Sequence, residues 1–319
     1  MIEKPLVSVI IPVYNGESFI EETITAVLNQ SYPSVEIILI DDGSTDGTSN
    51  LIDSLGANRS LQIIHQVNKG AAAARNRGYQ QSGGAYIKFL DADDIINVEM
   101  IAEQVKLAID HPDSIISSKW GRFYNNDLST FKLSPEECWQ DMPAQDWLCS
   151  SWKYTASTTV PGVFLIPRKI IEQAGLWNES LTLLDDTEYF ARTILRAKNV
   201  IFSPNSTLYY RSGLQHNLSG RKDATAVLSA FKAYQGMIGE LFAKQKDNIT
   251  QQLAANIWQL FIYNTYPENP ELIRLAQKAL AELPQPNLPY PAGGYTHILN
   301  QIIGWKATKV LKSFFAKIT

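Results

Sequence analysis

The chain has 319 residues, 45% of them hydrophobic and 19% charged, which excludes a disordered chain and suits one large domain or a core domain with an appendage. A formal net charge of −4 lacks the basic surplus of a nucleic-acid binder, so no nucleic-acid partner is expected. The two cysteines, Cys138 and Cys149, have no metal-site spacing and read as buried thiols.

Leu6 to Pro12 is too short an apolar run for a signal peptide, and no run of about 18 apolar residues occurs that could span a membrane. A cytoplasmic protein is therefore expected. Val7 to Val13, VSVIIPV, reads as a central strand of a parallel sheet. Tyr14, Asn15 and Gly16 turn the chain, and Glu17 to Gln30 has helical spacing. Val35 to Ile40 is a second strand, ending in Asp41-Asp42-Gly43, and Ser44 or Thr45 is placed to cap a helix running to Leu55. Leu61 to Gln66 is a third strand. Asn68-Lys69-Gly70 leads into an alanine-rich helix with Arg75, Asn76 and Arg77, which stops near Ser82-Gly83-Gly84. Tyr86 to Leu90 is a fourth strand, closed by Asp91-Ala92-Asp93-Asp94. This alternation predicts an α/β fold, a mostly parallel sheet flanked by helices.

Ile115 to Phe123 reads as a further strand and Asn125 to Trp152 as irregular chain. Another apolar run lies in Thr158 to Pro167, followed by a short helix over Arg168 to Ala174. Apolar spacing places another helix start near Asp185, in LDDTEYFAR. Val200 to Phe202 and Thr207 to Tyr210 read as two short strands, and Arg211 to Gly220 as a polar loop. From Arg221 the period is helical, with helices expected over 222–245, 248–265, 269–283 and 296–317. The division expected is 1–220 for a catalytic domain and 221–319 for a helical C-terminal region.

The chemistry concentrates at strand ends. Asp91 and Asp93 can converge where the fourth strand stops, at the sheet edge where open α/β folds bind ligands. Two readings stand for them: an acidic turn that caps the next helix, or a site for a hard divalent cation. No glycine-rich phosphate loop follows the first strand, which removes the main support for a dinucleotide-binding fold. Tyr14, Asp42 and the Asp91-x-Asp93 pair fall on one edge and together suit a nucleotide slot: a ring for a base, a carboxylate for hydroxyls or N–H groups, an acidic pair for a diphosphate-bound cation.

The stretches VSVIIPVYNGESFIEETITAVLNQSY, IILIDDGSTDGT, NKGAAAARNRGY, YIKFLDADD and LDDTEYFAR resemble glycosyltransferase family 2 in order and spacing across 7–192. The resemblance implies the GT-A fold and an inverting transfer from a nucleotide-sugar donor, UDP by expectation, to a glycan or lipid-linked glycan acceptor, assisted by Mn²⁺ or Mg²⁺. It implies that Pro12, Tyr14 and Asp42 line the nucleobase and ribose pocket and that Arg75 lies near the donor. Asp91 would contact ribose or metal, Asp93 would ligate the metal, and Asp186 would be the catalytic base. His216 lies where some relatives add a metal ligand. The chain carries Asp185 where the family usually has Glu, and Glu188 where Asp is common. A catalytically inactive nucleotide-sugar binder and a nucleotidyltransferase are the alternatives. The last helix places Leu299, Ile303, Val310, Leu311, Phe314 and Ile318 on one side, with Trp305, Lys309 and Lys312 off it. That pattern allows a helix lying in a membrane interface with Trp305 at its boundary, peripheral on the cytoplasmic face, or a helix packed back on the protein.

Overall fold

A computed structural model describes residues 4–57, 61–155, 159–213, 221, 223–291 and 295–315. His216 lies outside these residues, as does most of the loop that carries it. The first sheet is built as expected. Its order is β3 (Leu61–His65), β2 (Val35–Asp41), β1 (Val7–Val13), β4 (Tyr86–Phe89) and β9 (Ile166–Pro167). The first four strands run parallel and β9 is antiparallel to β4. All seven residues of β1 are buried, because crossover helices cover both faces of a central parallel strand. Those helices are α1 (Ile20–Leu28), α2 (Thr48–Gly56) and α3 (Ala71–Gln81).

α3 owes its seat to small residues. Ala72, Ala73, Ala74 and Gly78 are buried, and a Cβ at Gly78 would come within 2.4 Å of Ile10 Cγ2. Ile10 is β-branched and stiff, so only glycine lets α3 approach β1 this closely.

The second sheet joins β5 (Ile95–Ile96), β10 (Asn199–Ser212), β6 (Ser114–Tyr124) and β7 (Asp127–Leu133), with β8 (Met142–Pro143) beside β10. β6 and β10 pair in parallel. The remaining helices are α4 (Met100–Asp110), α5 (Ala144–Ser151), α6 (Arg168–Ala174), α7 (Asp185–Ile194), α8 (Ala224–Lys244), α9 (Asn248–Thr265), α10 (Pro270–Ala281) and α11 (Tyr295–Phe315). One core cluster runs from β1 and α1 through α7 into α8 and α9, taking in Phe190, Met237 and Trp258.

Five local expectations are corrected. The Asn125–Trp152 segment is ordered, since Asn125 and Asn126 both adopt φ +56° and close a two-residue hairpin between β6 and β7, a turn that asparagine tolerates well. The short strands at 200–202 and 207–210 are one strand, whose register shifts between Ser203 and Thr207; Pro204 lies in that shift, where the missing N–H does least harm. The apolar run at 158–167 forms a 3₁₀ turn, Pro161–Val163, and only two residues of strand. α2 starts at Thr48 and is fixed by Asp46, which accepts from the Thr48 amide at 3.0 Å, not by Ser44 or Thr45. α11 is broken at Gly304, with φ +77° and ψ 157°.

Substituting Gly78→Ala is expected to cost about 1–3 kcal/mol, the usual range for overpacking a tight contact. Urea unfolding followed by tryptophan fluorescence measures it, and unchanged stability would show that α3 shifts freely.

Candidate active site

The edge of the first sheet at the carboxyl ends of its parallel strands is made of three loops laced together by side chains. The Asn15 amide donates to Ser44 Oγ at 3.0 Å, and the Thr45 amide donates to Asn15 Oδ1 at 2.8 Å. The Gly16 amide donates to Thr48 Oγ1 at 2.9 Å, and the Gly47 amide to Glu17 Oε2 at 3.0 Å. Asn15 itself has φ +52°. The loops after β1 and β2 therefore hold each other. Tyr14 stands out of this edge, 52% exposed, while Pro12 is buried in the sheet behind it.

Asp41 and Asp42 face inward. Asp42 is buried and accepts from the Lys69 and Gly70 amides and from Gln66 Nε2, each at 2.8 Å. Its carboxylate pins the loop before α3 to the end of β2. Asp41 accepts from the Ser44 amide at 3.0 Å, from Ser49 Oγ, and pairs with His65 Nδ1 at 2.9 Å. Burial raises the pKa of Asp41, but these hydrogen bonds outweigh it and hold the carboxyl below the usual range.

The centre of the site is Arg75 on α3, 6% exposed. Its Nη2 donates to Asp91 Oδ1 at 2.7 Å and its Nη1 to Asp185 Oδ2 at 3.1 Å. The guanidinium lies 4.4 Å from the centre of the Trp177 ring. Trp177 in turn stacks on Tyr189 at 3.9 Å. The side-chain amide of the neighbouring Asn76 donates to the Trp177 carbonyl and accepts from the Trp177 amide, each at 2.9 Å. Arg75 thus ties the acidic turn after β4 to the first turn of α7, joining two motifs that lie far apart in sequence. Burial disfavours its charge, but Asp91 and Asp185 outweigh burial and keep it ionised.

The acids of α7 separate by partner. Asp185 is paired with Arg75. Glu188 is paired with Arg192 at 2.9 Å, and Arg192 also donates to the carbonyls of Ala174 and Leu176, so that pair fixes the turn after α6. Asp186 forms no ion pair among the described residues and accepts from the Thr187 amide at 2.6 Å. Burial, and then the charge of Asp185, push it up to about 7.

The turn at 91–94 carries more negative charge than the protein neutralises. Burial and Asp91 push Asp93 up to about 6. Asp94 is fully buried, is raised well above the ordinary value by burial and by Asp93, and has no hydrogen-bond partner for Oδ2 among the described residues. Among the described residues no cluster of three or more His, Cys, Asp or Glu is arranged as a metal cage. Asp91 and Asp93, close enough for the one charge to act on the other, offer the one or two carboxylates with which Mg²⁺ is usually bound, phosphate oxygens and water completing its shell.

Sequence reasoning missed Arg211, near the end of β10. Its side chain is fully buried between the rings of Phe19 and Phe123, 4.9 and 4.7 Å from their centres. Nε donates to the Asp93 carbonyl at 2.9 Å, the backbone N–H to Asp94 Oδ1 at 3.2 Å, and Nη2 to Glu22 Oε2 at 2.5 Å. A lone arginine closing a strand carries no sequence signal for this role. Sequence reasoning also missed Ser229 on α8, whose hydroxyl accepts from the Thr182 and Leu183 amides at 2.8 and 3.0 Å and donates to the Leu183 carbonyl at 2.8 Å.

Arg211→Met keeps the apolar stem between the two rings but leaves the Asp93 carbonyl and Glu22 without their donor. Glu22 is half exposed and returns to water, but the unsatisfied carbonyl costs about 1–3 kcal/mol, so a urea midpoint close to that of the parent would show that the arginine does not brace this turn.

Against known proteins, residues 8–175 match the family model described as Glycosyl transferase family 2. The chain is 30% identical over 241 residues to glycosyltransferase GlyG of Streptococcus pneumoniae serotype 4, covering 70% of this chain and 78% of that relative. It is 38% identical over 109 residues to the putative teichuronic acid biosynthesis glycosyltransferase TuaG of Bacillus subtilis, 34% of this chain and 43% of TuaG. A crystal structure of S. aureus TarS 1-349 in complex with UDP-GlcNAc superposes with a TM-score of 0.70 at 18% identity, covering 88% of this chain and 82% of that one. At that identity the likeness is one of fold. The family match takes in β1 through α6 and ends at Gly175, before α7.

Proposed function

The chain belongs to glycosyltransferase family 2, and from that premise we propose that it transfers a sugar, with inversion, from a UDP-sugar to an acceptor hydroxyl in glycan assembly. The UDP reading is supported by the likeness to TarS, which was crystallised with UDP-GlcNAc, and the glycan reading by relatives such as TuaG. One observation carries the proposal furthest. Arg75 draws the Asp91 turn against the first turn of α7 and pairs with Asp185, leaving Asp186 as the acid there without a cation.

Tyr14 offers its exposed ring to the base beside the buried Pro12, and Asp42 holds the 66–70 loop that closes this edge. Asp91, fixed by Arg75, faces the ribose and diphosphate. Asp93 would hold Mn²⁺ or Mg²⁺, which when bound supplies positive charge to the diphosphate. Asp186 accepts the acceptor hydroxyl's proton as its oxygen bonds to the anomeric carbon. The bond from that carbon to the diphosphate oxygen breaks on the opposite face, through an oxocarbenium-like state. The electron pair of the broken bond leaves with the diphosphate, and the configuration inverts. A carboxyl held near 7 suits this work, since a base near the operating pH combines a useful ionised fraction with a real driving force for proton uptake.

Two variants test the proposal. Asp93→Ala is expected to lose metal-dependent UDP binding in calorimetry with Mn²⁺ while remaining folded, and unchanged metal-dependent affinity would sink the assignment. Asp186→Asn is expected to bind UDP normally and lose on the order of 10²–10⁴ in transfer rate. For the parent, kcat/KM should rise with pH and level off above about 7, because Asp186 is protonated below that value. The low-pH limb should be missing from the residual activity of Asp186→Asn. Retention of more than about a tenth of turnover would place the base elsewhere.

A further inference from the structure

The charge of the chain is unevenly placed. From Pro284 to the last residue there are four lysines and no Asp or Glu, a charge of +4 within a chain of net charge −4, which leaves −8 on the rest. α11 lies in this basic segment and is broken at Gly304. One side of it is docked. The Trp305 ring lies 4.6, 5.3 and 5.6 Å from the rings of Tyr290, Tyr266 and Tyr263. Thr308 is buried, and Lys309 Nζ donates to the Tyr263 carbonyl. Trp305 is therefore an anchor to the protein, which corrects its expected place at a membrane boundary.

The other side has no partner among the described residues. Ile298, Leu299, Ile302 and Ile303 are 54, 37, 72 and 42% exposed, and Val310 and Leu311 after the break are 45 and 41% exposed. The first four follow i, i+1, i+4, i+5 spacing, a single stripe on a helix. Lys306 is exposed in the same segment. No helix among the described residues is long and apolar enough to cross a membrane, so the stripe suits contact with a surface.

We propose that the outward side of α11 docks on an anionic lipid surface, its aliphatic side chains entering the acyl boundary and the exposed Lys306, beside the Trp305 ring, meeting headgroup charge. Charge complementarity selects this occupant. A second copy meeting this side in a two-fold contact would set one lysine-rich segment against its twin, whereas an anionic leaflet attracts each lysine near its surface, roughly fivefold in binding per lysine. Interfacial helices combine a basic polar face with an aliphatic one in this way. The docking goes beyond the transfer reaction: it would hold the catalytic edge beside acceptors carried on lipid.

The test is co-sedimentation of the full chain with vesicles of phosphatidylcholine alone or mixed with phosphatidylglycerol, at low and raised salt. Binding is expected to the anionic vesicles, at least several-fold above the neutral ones, and to weaken with salt. The double variant Ile298→Gln and Ile302→Gln changes only exposed side chains and should keep the parent's melting temperature and UDP affinity while losing about tenfold or more in vesicle binding. No binding by the parent, equal binding to both vesicle types, or unchanged binding by the folded variant each overturns the proposal. So does a parent dimer in sedimentation equilibrium that the variant dissolves, which would assign the stripe to a second copy. UDP affinity, measured on the same preparations, reports separately on the glycosyltransferase reading.

Discussion

One buried guanidinium holds the two halves of the site together. Taking Arg75 out of water is costly, and a single carboxylate seldom offsets that cost. Here two carboxylates share the charge and the Trp177 ring covers it. The arrangement fixes more than one ion pair, because α3 sits on β1 through Gly78 and Asn76, the residue after Arg75, clamps the Trp177 backbone. Trp177 stacks on Tyr189 of α7. The sheet, the acidic turn after β4 and the helix carrying Asp186 are therefore braced against one another, and a displacement of α3 would be felt at both Asp91 and α7.

The same electrostatics divide the acids into two groups. Asp41, Asp42, Asp185 and Glu188 are satisfied by the protein's own donors and serve its architecture. Asp93, Asp94 and Asp186 are left with too little positive charge, and burial with neighbouring carboxylates raises all three. Perturbed carboxyls of this kind gather at functional sites. In the 91–94 turn the surplus is one that a cation and a diphosphate can complete. At Asp186 it leaves a carboxylate whose affinity for a proton is higher than that of an ordinary aspartate. Arg211 limits how far the surplus can deform the turn, since its side chain holds the Asp93 carbonyl and its backbone N–H holds the Asp94 carboxylate.

The parallel sheet was legible because its strands are unbroken apolar runs separated by helical spacing, and the acids at its edge were legible because each stands where a run stops. What escaped was set by contacts over long sequence separations. Nothing in ARNRG says that Arg75 will reach both Asp91 and Asp185, and the doubled aspartates before Gly43 do not reveal that both turn inward. The β6–β7 hairpin was available in Asn125-Asn126 and was obscured by the aromatics and prolines that follow. Pro204 made one bulged strand look like two. In α11, helical spacing was read straight through Gly304, whose left-handed backbone ends one segment and starts another.

The part of the chain with no motif also bears on the chemistry. α7 begins after Leu184, a non-glycine residue at φ +58°, a conformation that surrounding structure must enforce. The enforcement comes from α8, where the buried hydroxyl of Ser229 takes the amides of Thr182 and Leu183 and returns a hydrogen bond to the Leu183 carbonyl. Those three bonds fix the chain one residue before the strained turn and three before Asp186. The family match ends at Gly175 and does not include this helix. The aim of the proposed base is thus set by a helix of the C-terminal region, while its electrostatic setting comes from α3 and α7. A chain cut after β10 would retain the acids of the site and lose the constraint that orients one of them.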